Sequence, residues 1–108
     1  MLAKRYKLNI EQFIQKKPTF VKKGAFFSVK VAQNNLSYSR FGVVVGKKVD
    51  KRATERNRIK RLFYRIIREQ SLHLIVGKDV MVSIFPEIKQ FSTEDADKHI
   101  RAFFIALF

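Results

Sequence analysis

At 108 residues, 46% hydrophobic and with eleven phenylalanines, the chain can build one core and is not a disordered basic tail. Twenty-three lysines and arginines against nine acids give a formal net charge of +14, which favours polyanionic partners. With no cysteine, disulfides and thiolate metal sites are excluded, and no apolar run approaches the ~20 residues of a membrane span. A cytoplasmic location, with no membrane partner, is therefore expected. The charge is uneven: residues 1–30 sum to +7 and 47–68 to +8, while 69–108 sum to −2.

In chain order, Ile10, Phe13 and Ile14 stand at helical spacing between a capping Asn9 and a terminating Pro18, which predicts a short amphipathic helix over Asn9–Lys17. A short strand before Gly24 is followed by "FFSVKV". There Phe27, Val29 and Val31 share one face, and Phe26, Ser28 and Lys30 share the other. Phe26 belongs either to the core or to an exposed strand face that pairs aromatic and basic groups, as RNA-binding sheets do. After the polar "QNNLSYS", the run "RFGVVVG" reads as a central strand.

A helix is expected over Glu55–Gln70 with Thr54 as its cap. Ile59, Leu62, Phe63, Ile66 and Ile67 form its apolar stripe, and Asn57, Arg61, Tyr64, Arg65 and Arg68, flanked by Arg58, form its far side. "DVMVSIF" over Asp79–Phe85 gives another strand. A last helix after Ser92 carries Glu94, Asp95 and Asp97 at its positive end and buries Ala96, Ile100, Phe103, Phe104 and Leu107. The order α-β-β-β-α-β-α predicts a single-domain α+β two-layer sandwich spanning residues 1–108.

Protein-borne catalysis finds little support. A nuclease using two histidines would have only His73 and His99, one in a connection and one in the acidic third. The acids at 94, 95 and 97 suit a helix dipole better than a metal. "VVVGKK" lacks the spacing and closing hydroxyl of a P-loop, so its lysines suit direct phosphate contact.

The segment "RNRIKR" is the strongest signal. Basic side chains at i, i+3 and i+4 with almost no acid after Glu55 repel by a few tenths of a kcal/mol per pair. A merely solvated helix face would alternate its charges. Arginine predominates, which suits phosphate forks. An anionic lipid partner would need the apolar stripe that the core requires.

"GVVVGKKVDKRATERNRIKRLFYRIIRE" closely resembles the signature of the bacterial ribonuclease P protein subunit, and the opening "KRYKLN…F", the strands and the last helix come in that family's order. The resemblance implies a ribosomal-protein-like sandwich with a left-handed βαβ crossover, against the general right-handed preference. It implies the protein partner of ribonuclease P RNA, assisting endonucleolytic removal of the 5′ leader of precursor tRNA. The RNA and its Mg²⁺ would perform the hydrolysis, with no catalytic or metal-binding residue and no further protein partner on this chain.

Carried over by residue, Arg56, Asn57, Arg58, Lys60 and Arg61 form the motif that meets the catalytic RNA. Lys47 and Lys48 match the family's lysine pair, and Arg52, Arg65 and Arg68 extend the basic surface. Phe13, Lys17, Phe27, Ser28 and Lys30 are implied as a cleft for the leader. Lys17 stands where relatives often carry a second aromatic, and many relatives have an aromatic near the position of Lys30, so lysine–phosphate contact is expected to replace some stacking. The sequence ends at Phe108 without the basic tail many relatives append, which implies weaker non-specific affinity. A ribosomal or RNA-chaperone protein of the same fold is the alternative, and a self-sufficient basic nuclease a second.

Overall fold

A computed structural model describes residues 2–108. After a 3₁₀ turn at Lys4–Tyr6 comes α1 (Ile10–Ile14), capped by Asn9, whose side chain accepts from the Gln12 N–H at 3.1 Å. The cap is the expected one, but the helix stops short of Lys17. At little more than one turn it depends on its packing for stability. Next come β1 (Phe20–Lys23), β2 (Phe27–Gln33), β3 (Arg40–Val44), α2 (Ala53–Glu69), β4 (Lys78–Ile84) and α3 (Thr93–Leu107). The predicted α+β order is the observed one.

The four strands lie in the order β1-β2-β4-β3, with β3 and β4 parallel and the other pairs antiparallel. The run "RFGVVVG" is therefore an edge strand rather than a central one. It is apolar because it is covered all the same: α2 packs on one face, and the N-terminal segment crosses its free edge, where the Leu8 N–H donates to the Phe41 carbonyl. That cover also blunts an edge that would otherwise pair with other chains.

The sheet has two unlike faces. On one, Phe27, Val29, Val31, Phe41, Val43, Val80 and Val82 meet the stripes of α2 and α3 in the main core. Every residue of the predicted α2 stripe is buried. Phe26 joins this core ahead of β2, packed among Phe27, Phe91 and His99, which closes the alternative of an exposed aromatic. Tyr64 is also buried, contrary to its expected place on the basic face. It sits on the flank of α2 toward β3, and its hydroxyl accepts from the Val43 N–H at 3.2 Å.

The other face carries a smaller cluster, in which Phe13 of α1 seats on Ala32 and Met81, with Leu8 and Ile10 beside it. A Cβ on Gly42 would lie 2.5 Å from the Ile10 Cδ1 and 3.2 Å from the Leu8 Cβ, so any larger residue would have to push Ile10 and Leu8 away from β3.

Asp79, at the start of β4, is fully buried and holds this side together. Arg40 donates to it from Nε and Nη2 at 2.8 and 2.6 Å, Asn34 from Nδ2 at 2.9 Å and Lys16 from Nζ at 2.9 Å. Burial pushes its pKa up, but these donors outweigh burial and hold it below the ordinary carboxylate value. A depressed folded pKa contributes stability that is present above the unfolded value of 3.8 and lost as pH falls through the folded one. The urea midpoint should therefore drop on acidification below about pH 4, and Asp79→Asn should flatten that drop while lowering the midpoint at neutral pH.

Candidate nucleic-acid interface

α2 begins at Ala53, one residue before the expected cap, so Thr54 lies inside the first turn and Arg52 is the residue at the cap position. Asp50 organises the entrance instead. Its buried carboxylate accepts from the Arg52 backbone N–H at 2.9 Å, from the Arg52 guanidinium at 3.1 and 3.2 Å, and pairs with Lys89 at 3.3 Å. The Arg52 hydrogen bonds hold its pKa well below the usual carboxylate range, so it stays charged and keeps two cations in place. No local sequence pattern marked this role.

Lys47 and Lys48 lie in the turn between β3 and α2, exposed beside Lys51, Arg52 and Lys89. Arg56 is folded back: its Nη1 donates to the carbonyls of Asp50 at 3.0 Å and Lys51 at 2.8 Å, shaping the loop that carries the lysines. The positive end of the α2 dipole points the same way, so loop and helix end attract anions together.

Along the exposed side of α2, Arg58, Arg61, Arg65 and Arg68 line one shallow groove with Leu62 and Thr93. Steps of three and four residues keep them on one face over about 15 Å, at a rise of about 1.5 Å per residue. Arg58 is steadied by Glu55 at 2.9 Å and the Thr93 hydroxyl at 3.2 Å, and Arg65 touches Asp97 at 3.4 Å. Arg61 and Arg68 make no ion pair among the described residues. Asn57 is exposed and Lys60 half-buried. Among the described residues no helix is long and apolar enough to cross a membrane.

Residues 5–107 match the family model described as Ribonuclease P. The chain belongs to the ribonuclease P protein family. It is 38% identical over 63 residues to the ribonuclease P protein component of Pseudanabaena sp., an alignment covering 57% of this chain and 54% of that one. To the component from Chromobacterium violaceum it is 60% identical over 37 residues, 34% of this chain and 31% of that one. These alignments span about half or less of the curated relatives' length. The solved Staphylococcus aureus RNase P protein superposes with a TM-score of 0.79 at 25% identity, covering 94% of each chain.

Within this family fold, the positions implied for a leader cleft do not all share a surface. Phe27 faces α2 and α3 and is 1% exposed, because strand alternation puts it with Val29 and Val31. Phe13 is on the expected face but 2% exposed, its ring spent on Ala32 and Met81. Neither ring is available for stacking. Ser28 and Lys30 do share the face that α1 partly covers, and register adds Lys23 and Ser83 beside Ser28, and Val21 beside Lys30. The open part of this face is thus a lysine-bearing strip with two exposed aliphatic members, Val21 beside Lys30 and Val44 beside Ser83, while Lys17 is exposed in the connection after α1.

The histidines have aromatic neighbours in place of each other. His73 meets Tyr6 edge-on at 4.6 Å, and His99 meets Phe91 at 5.1 Å. Asp97 is held by Arg101 and Arg65, which keep its pKa low.

Proposed function

We propose that the protein is the small subunit of ribonuclease P, which binds the catalytic RNA and the 5′ leader of precursor tRNA and assists endonucleolytic removal of that leader. The observation that carries this reading is the arginine groove of α2, in a chain of this family, with Arg61 and Arg68 free to meet phosphates. Mg²⁺ held by the RNA supplies the hydrolytic chemistry. The buried or half-buried carboxylates Asp50, Asp79 and Asp97 are each taken by arginine or lysine, a donor set that suits ion pairing and not Mg²⁺. The protein's part is to add phosphate contacts and screen RNA charge.

The leader would lie along the strip of Lys23, Ser28, Lys30 and Ser83. With Phe13 and Phe27 buried, phosphate contact outweighs stacking there, so leader binding should tolerate many sequences and weaken steeply with salt. Lys30→Ala should lower affinity for precursor tRNA, leave mature tRNA and assembly with the RNA unchanged, and reduce the log–log salt slope by about 0.7, as for one single-strand phosphate contact. Equal losses for precursor and mature tRNA would remove the leader from this face.

A further inference from the structure

The adjacent lysines 16 and 17 follow α1, and the structure gives them different work. Lys17 is exposed. Lys16 reaches over the face that α1 covers to Asp79, 63 residues away, at 2.9 Å. Arg40 already neutralises that carboxylate through two hydrogen bonds, and Asn34 supplies a third, so Lys16 is not needed to balance its charge.

What the Lys16 contact adds is a fixed position for the connection that leaves α1. The helix is five residues long, seated by Phe13 and Ile10, and its last turn closes through the Lys16 N–H on the Phe13 carbonyl at 2.9 Å. Beyond Lys16 the chain runs through Lys17 and Pro18 into β1, which carries Val21 and Lys23 at the edge of the open strip. A polar anchor at this point sets how far α1 stands from that strip. It rests on Asp79 of β4, which is fully buried, and on Arg40 of β3, which is paired with Asp79 in register and held to it by two hydrogen bonds.

We infer that Asp79 and Lys16 form a tether that positions α1 as the wall of the leader-binding strip, and so act as positioning residues for the choice of precursor over mature tRNA. This rests on the leader reading above. A tether and a direct phosphate contact predict opposite signs. If Lys16 served the leader directly, Asp79 would compete for it, and Asp79→Asn would release a cation and raise precursor affinity. As a tether, the same change lowers it.

The test compares precursor and mature tRNA binding by the RNA–protein complex for wild type, Lys16→Met and Asp79→Asn, with hydrogen exchange on the α1 amides. Expected are a precursor-to-mature ratio about fivefold lower in both variants, faster exchange at Phe13 and Lys16, and unchanged affinity for the catalytic RNA. Lys16→Met keeps the Asp79–Arg40 pair, so if Asp79→Asn fails to fold, a lower ratio in Lys16→Met with faster exchange on the α1 amides supports the tether, and a lower ratio with unchanged exchange overturns it in favour of a direct phosphate contact. A ratio that rises in Asp79→Asn, or stays at the wild-type value in Lys16→Met, overturns the tether. If wild type itself shows no preference for precursor, the leader reading has failed, and the tether's role in selection with it; exchange at α1 still reports whether the anchor holds the helix.

Discussion

Phe27→Ala should cost about 3–5 kcal/mol of stability, the range for truncating a fully buried phenylalanine. The ring is 1% exposed and packs against Phe103 at 4.7 Å, Phe26 at 5.1 Å and Phe63 at 5.3 Å, so it joins β2 to both long helices. Against a total of about 5–15 kcal/mol for a domain of this size, that is about a fifth or more. Urea unfolding should show a large drop in midpoint, and any loss of RNA binding should follow the unfolded fraction. A variant of wild-type stability that loses only precursor binding would return Phe27 to the leader's surface.

Replacing Arg61 and Arg68 together by alanine should have the largest effect on assembly with the RNA. Both are exposed, both lie in the α2 groove, and neither has an acidic partner among the described residues. Losing two phosphate contacts should reduce the log–log salt slope by about two units. The melting temperature should hardly change, because no packed contact is lost. Arg65→Ala should cost less, since Asp97 already shares that guanidinium. Binding measured from low to moderate salt separates these outcomes, and an unchanged slope in the double variant would move the RNA off this helix face.

Much of this surface could be read from the sequence because its signal is local. Arginines at steps of three and four residues define a helix face, and Ile59, Leu62, Phe63, Ile66 and Ile67 define the opposite one. Tyr64 lies between the two arcs, where helical phase alone cannot say whether a residue packs; a neighbouring strand with a free N–H at Val43 drew it inward. Phe27 was the reverse case. Its parity with Val29 and Val31 already set it against the α2 and α3 core, and strand alternation outweighs its place beside Ser28.

Other features were silent because their partners are distant. The cover on β3 comes from Leu8, more than thirty residues earlier in the chain, so an edge strand read as a central one. Asp79 opens an apolar strand like any flanking acid, and only Lys16, Asn34 and Arg40 converging on it make it the buried anchor of α1. Asp50 likewise gains its role from Arg52 and Lys89, the second of which arrives from beyond β4.

The subunit role is decided by cleavage of a precursor tRNA at low Mg²⁺ by a bacterial ribonuclease P RNA, with and without this protein, beside a protein-only control. The protein should strongly stimulate 5′ leader removal by the RNA and should remove no leader without it. Cleavage by the protein alone would contradict it and return attention to His73 and His99. An absence of stimulation with an RNA that the protein demonstrably binds would contradict it as well, leaving an RNA-binding protein of this fold with a different task.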